Sequence, residues 1–117
     1  MKLIIHRVNT IKKLRKIPEQ YGVEIDIRCF GKKLILSHDP YKNGDNFIDF
    51  LNYYSHSLLV ANIKEAGIEN DVIKLLRKKN IKDFFLLDVE FPYLYKSAIK
   101  GQKNIAIRFS EKENIDN

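Results

Sequence analysis

Two histidines and two carboxylates are the residues whose spacing could do chemistry. His6 and Arg7 follow the apolar run Leu3-Ile4-Ile5. Glu24 and Asp26 alternate with Val23, Ile25 and Ile27, so a strand there sets both acids on one face and the apolar residues on the other. His38 lies in Ser37-His38-Asp39-Pro40, just past a Gly31-Lys32 pair that reads as a hairpin turn. A turn centred there sets Asp26 opposite His38. Two histidines bracketing an acidic pair point to general acid–base work beside a divalent cation. Two oxygen ligands on one strand face suit Mg²⁺ or Ca²⁺ better than zinc.

The elements that must position these groups alternate between strand and helix. Leu3 to Arg7 reads as a short strand. Asn9 or Thr10 can cap a helix running to Gln20, with Ile11, Leu14 and Ile17 as its apolar stripe and Pro18 straining its last turn. Val23 to Phe30 alternates as a strand, and Leu34 to Ser37 returns from the hairpin. Pro40 to Asp45 reads as a loop, and Asn46 caps a helix over Phe47, Phe50 and Leu51. Ser57 to Ile63 is the next strand, followed past Gly67 by a helix carrying Val72, Ile73, Leu75 and Leu76. Lys82 to Asp88 is a further strand, Pro92 opens a short helix, and Asn104 to Phe109 is the last strand. This rhythm predicts a mainly parallel α/β sheet covered by helices.

In such a sheet the strands should be apolar throughout, yet ionisable or amide groups collect at their C-terminal ends. They are His6 and Arg7, then Glu24 and Asp26, then Asn62 with Lys64, then Asp88, then Arg108. Ligands of α/β proteins bind outside that end of the sheet, where a charge can meet solvent, a metal or a substrate.

Composition narrows the classes. The chain has 117 residues, 44% of them hydrophobic and 31% charged, which predicts one globular domain over residues 1–117. A single cysteine, Cys29, rules out an internal disulfide framework and a multi-cysteine zinc site. No apolar stretch approaches the roughly 20 residues that a membrane helix needs, and the expected address is the cytoplasm. The net charge of +6 raises a nucleic-acid partner. However, Lys12, Lys13, Arg15 and Lys16, like Lys74, Arg77, Lys78 and Lys79, interleave with apolar residues at helical spacing and read as solvated outer faces. The sequence therefore argues against nucleic acid.

The ordered set Ile5-His6-Arg7, Glu24-Ile25-Asp26, His38-Asp39 and Asn62-Ile63-Lys64 resembles the glycerophosphodiester phosphodiesterase family, which belongs with the phosphatidylinositol-type phospholipase C barrels. The resemblance spans about residues 3 to 65. It implies a β/α barrel of the TIM type and metal-dependent hydrolysis of a small phosphodiester. By the same resemblance His6 and His38 are the acid–base pair, and Glu24, Asp26 and Asn62 hold the cation. Arg7 and Lys64 contact the phosphate, with Asp39, Asp88 and Arg108 as further candidates. The sequence departs from the family pattern in three places. Val8 stands where glycine is common, Asn9-Thr10 lacks a preceding Glu, and Asn62 takes the place of a carboxylate.

A complete barrel of this type takes about 200 residues or more. The expected architecture is thus a partial barrel, about the first five of eight parallel strands, with the hairpin carrying His38-Asp39. Two readings follow from that length. The chain is the N-terminal part of a phosphodiesterase barrel, or a degenerate, non-catalytic module that binds a phosphorylated ligand or a partner chain. A second copy completing the barrel is one such partner.

Overall fold

The computed structural model describes residues 3–87. They form a mixed α/β fold built on one six-stranded sheet. The strands are β1 (Ile4–Ile5), β2 (Gly22–Phe30), β3 (Lys33–Leu36), β4 (Asp45–Asn46), β5 (Leu58–Ile63) and β6 (Phe84–Leu87). The helices are α1 (Ile11–Leu14), α2 (Phe47–Asn52) and α3 (Glu69–Lys78). The expected short helix after Pro92 and the strand Asn104 to Phe109 lie outside the described residues.

β2 organises the sheet. Along one edge it pairs with β5 over its first six residues, parallel, and β5 pairs in turn with β6, also parallel. The other edge is divided. β1 runs parallel beside Gly22 and Val23, and β3 runs antiparallel beside Ile27 to Phe30. β4 then adds antiparallel to β3. The parallel strands β1, β2, β5 and β6 are thus neighbours in chain order, with the hairpin occupying the upper half of the β1 edge. Among the described residues the sheet is open, with β4 at one side and β6 at the other.

Alternation sorts the two faces. Val23, Ile25 and Ile27 of β2, Leu59, Ala61 and Ile63 of β5, and Phe84 and Leu86 of β6 share one face and are buried. They join Leu14 of α1, Phe47, Phe50 and Leu51 of α2, and Val72, Ile73 and Leu76 of α3 in a single apolar cluster. Burying such side chains contributes roughly 1.5–3 kcal/mol each, so this face carries the stability of the fold. The opposite face, set by Glu24, Asp26 and Asn62, is free to carry chemistry.

The helix ends follow their sequence signals, with one correction. Thr10 caps α1 by accepting the Lys13 N–H, and Asn46 caps α2 by accepting the N–H groups of Ile48 and Asp49. At the end of α3, Asn80 takes a left-handed φ of 60° and the Ile81 N–H returns to the Leu76 carbonyl at 2.9 Å, the form of a Schellman stop. The correction is α1, expected to reach Gln20. It ends after Leu14, and the Lys16 and Ile17 N–H groups bond three residues back, to Lys13 and Leu14. Pro18 lacks an N–H and disfavours helical backbone in the residue before it, so the last turn tightens and the helix stops.

Two further expectations change around the hairpin. Phe30 pairs with Lys33, and Gly31 takes φ 65° at the first central position, as a two-residue type II′ turn requires. That register brings Ser37, not His38, opposite Asp26, with the Ser37 N–H on the Asp26 carbonyl at 3.0 Å. The segment read as a loop up to Asp45 ends in β4. Gly44 precedes it because a Cβ there would lie 2.0 Å from the Leu36 carbonyl oxygen.

Candidate functional site

The site is built on the polar face at the C-terminal ends of the parallel strands. Parity places its members. Ile4 pairs with Gly22, so His6 falls on the face of Glu24. Its Nδ1 lies 2.9 Å from Glu24 Oε1. A carboxylate can only accept, so the ring nitrogen donates and Nε2 is left as the second functional nitrogen of His6. The His6 side chain is 77% exposed. Arg7 follows at φ 53°, a left-handed conformation that is uncommon outside glycine, and its N–H points to the same Glu24 oxygen at 3.4 Å.

Asp26 is the centre of the site and is buried. Asn62 stands beside it in register on β5, on the same face and also buried. The Lys64 ammonium, two residues on, lies 3.9 Å from Asp26 Oδ1. His38 comes from the other side, its Nδ1 3.5 Å from Asp26 Oδ2. That is an ion-pair distance, longer than a firm hydrogen bond. The register slip does not remove His38 from the site, because β3 ends at Leu36 and the following residues are free of strand alternation.

The structure therefore brings together the side chains of His6, Glu24, Asp26, His38, Asn62 and Lys64, with Arg7 joining through its backbone N–H. Asp39 is exposed and its carboxylate lies 3.5 Å from the Lys42 ammonium. Asp88 and Arg108 lie outside the described residues.

For a cation, the donor set is two carboxylates and one amide oxygen. Among the described residues no group of three His, Cys, Asp or Glu side chains is placed to hold a metal ion. The third oxygen is an amide instead. Asn62 Oδ1 is buried and has no hydrogen-bond partner among the described residues. A buried carbonyl oxygen without a donor is costly, and an oxygen-binding cation beside Asp26 is a partner that would satisfy it. The residues fit a hard divalent cation in chemistry, with less negative charge than three carboxylates would supply.

Three contributors were not legible as site residues. Asn9, read as a possible helix cap, is released from that role by Thr10 and binds Asp26 instead. Its Nδ2 donates to Asp26 Oδ2 at 3.0 Å, and its Oδ1 accepts the Asp26 N–H at 2.8 Å. Two adjacent cap-competent residues where a helix uses one was the available signal. Lys13 donates to the carbonyls of His6 and Arg7, and Arg28 to those of Ser37 and His38. Nothing in their local sequence marks either.

Cys29 is a free thiol, partly buried on β2. Burial, then the nearby Glu65 and Asp71 charges, raise its thiol above the usual range and disfavour the thiolate. A cleft of about 300 Å³ bordered by Tyr54, His56, Lys79 and Asp83 lies where β5 and β6 begin, at the other end of the sheet from His6 and His38.

Comparison with protein-family models, with curated proteins and with solved structures gives no match. No helix among the described residues is long and apolar enough to cross a membrane.

Proposed function

We propose that the chain is a metal-dependent phosphodiesterase of the glycerophosphodiester phosphodiesterase type, acting through two histidines. One observation carries the reading. His6 and His38 approach from opposite sides, each with Nδ1 against a carboxylate of the same β2 face, Glu24 at 2.9 Å and Asp26 at 3.5 Å. An imidazole bonded to a carboxylate at Nδ1, as His6 is, is fixed in orientation and presents Nε2 for proton transfer, while His38 stands at ion-pair distance from Asp26 without a hydrogen bond at Nδ1 among the described residues. One ring takes a proton from the attacking water or neighbouring hydroxyl at Nε2. The other gives a proton to the leaving alkoxide. Arg7 and Lys64 contact the phosphate. Glu24, Asp26 and Asn62 would hold Mg²⁺ or Ca²⁺, which when bound neutralises phosphate oxygens as charge builds.

The fold is read as an arc of a β/α barrel. Supporting this, the parallel strands are neighbours in chain order, and all three helices send their apolar residues to one face. A doubly wound sheet reverses its order at a switch point and covers both faces. The proposed substrate is a small phosphodiester and the proposed compartment the cytoplasm.

The experiment is hydrolysis of bis(p-nitrophenyl) phosphate with Mg²⁺, Ca²⁺ or Mn²⁺. Turnover that EDTA abolishes is expected. Rates unchanged by both His6→Ala and His38→Ala would overturn the mechanism.

A second reading is a non-catalytic module that binds a phosphorylated ligand or a partner chain. It is favoured by Asn62, and by Lys64, whose ammonium sets a positive charge 3.9 Å from Asp26. Tight phosphate-ester binding by calorimetry without turnover would select it.

A further inference from the structure

Neither candidate histidine lies inside a strand. His6 follows the end of β1, and His38 stands beyond the end of β3. Their side chains are 77% and 40% exposed, so packing leaves His6 largely free and His38 only partly held. The main chain at His6 also runs into a left-handed residue, since Arg7 has φ 53°. Such a conformation is strained in a non-glycine residue and persists only when its surroundings impose it.

Two cations supply that restraint in the same way. Lys13 Nζ lies 3.2 Å from the His6 carbonyl oxygen and 3.2 Å from that of Arg7. Arg28 places Nε 3.2 Å from the Ser37 carbonyl oxygen and Nη2 2.8 Å from that of His38. Each cation spans two consecutive carbonyls, one of them the histidine's own. Each reaches from a regular element, Lys13 from α1 and Arg28 from β2. Arg28 is two residues from Asp26 on the same strand, so the platform that carries the central carboxylate also holds the histidine facing it. Carbonyls are neutral acceptors, so these bonds do not themselves neutralise either cation.

We propose that Lys13 and Arg28 are positioning residues, each clamping the main chain of one histidine through a pair of carbonyls so that the imidazole stays aligned on its carboxylate. The catalytic consequence rests on the phosphodiesterase reading. The clamp itself does not, because it can be read from the histidines directly.

The test is an NMR titration of the imidazole Cε1–H signals in the full chain, for Lys13→Met, Arg28→Met and the conservative Lys13→Arg and Arg28→Lys. Arg28→Met is expected to shift the signal and titration midpoint of His38 and leave those of His6 in place. Lys13→Met does the reverse, and the conservative variants return toward wild type. Turnover of the phosphodiester is expected to fall about ten- to a hundredfold in kcat with little change in KM, with recovery in the conservative variants. The proposal is overturned if both histidines keep wild-type signals and midpoints in the Met variants, or if either variant moves both histidines alike. Should a Met variant fail to fold, Lys13→Gln or Arg28→Gln, whose shorter side chain cannot span both carbonyls, carries the test. A smaller shift confined to one histidine supports the clamp, and wild-type signals at both overturn it. A wild-type chain without turnover would remove the phosphodiesterase reading and leave the NMR result to decide the clamp.

Discussion

Asn9 holds Asp26 at two points, with its amide nitrogen on the carboxylate at 3.0 Å and its amide oxygen on the backbone N–H at 2.8 Å. This pair ties the loop after β1 to the centre of β2 and satisfies part of a buried charge. Removing it should therefore cost both stability and order. Asn9→Ala is expected to destabilise the fold by about 1–3 kcal/mol, since a buried carboxylate loses a donor and a buried N–H its acceptor. Asn9→Asp should cost more, because it sets a second carboxylate against Asp26. Urea denaturation checks both, and wild-type midpoints would show that Asp26 draws its support from elsewhere.

His6→Ala and His38→Ala are each expected to lower phosphodiester turnover by about a hundredfold or more. The His6 side chain is largely exposed and that of His38 is half-buried, and neither belongs to the apolar core, so circular dichroism and the thermal midpoint should stay near wild type. A rate loss accompanied by unfolding would assign the histidines to structure instead.

Asn62→Asp tests the cation set. The new carboxylate would stand in register with Asp26 on a buried face. Without metal it is expected to destabilise by roughly 1–3 kcal/mol, through like-charge repulsion and burial. With Ca²⁺ or Mg²⁺ the loss should be recovered, so the gain in Tm on adding cation exceeds that of wild type. Equal gains in both proteins would take Asn62 out of the set.

Tyr54 governs an alkaline limb. Its hydroxyl is buried without a hydrogen-bond partner among the described residues. Burial, and then the Asp83 carboxylate, raise it above its ordinary value near 10. Folding thus favours the neutral phenol. Its contribution is complete below about pH 10 and is lost as the pH rises further. Tyr54→Phe removes the unpaired hydroxyl and should be neutral or stabilising by up to about 2 kcal/mol at pH 7, with a flatter loss above pH 10. Thermal melts across that range measure it. A marked destabilisation at pH 7 would mean that the hydroxyl has a partner.

Periodicity alone located most elements. The alternation of Val23, Ile25 and Ile27 against Glu24 and Asp26 predicted a strand with one apolar and one acidic face, and both faces stand as read. Asn46 as the cap of α2 was equally legible, because capping is a contact within one helical turn. The early stop of α1 was less so. Pro18 signalled strain, but where the helix stops depends on which carbonyls the chain can still reach. β4 was missed because two residues carry no period, and their pairing is decided by β3.

By itself the sequence determined which residue types stand at the strand ends, that Glu24 and Asp26 share a face, and that a histidine returns after the hairpin. Those are consequences of a two-residue repeat and a local turn. The turn also set His38 near Asp26, although the register pairs Asp26 with Ser37, and only the tertiary structure decided that His6 meets Glu24. It also decided that Asn62 aligns with Asp26, and that Asn9, Lys13 and Arg28 hold the arrangement. Each of these contacts joins residues from different elements. Their geometry is fixed by strand register and by packing on the apolar face, and neither is encoded in the spacing along the chain.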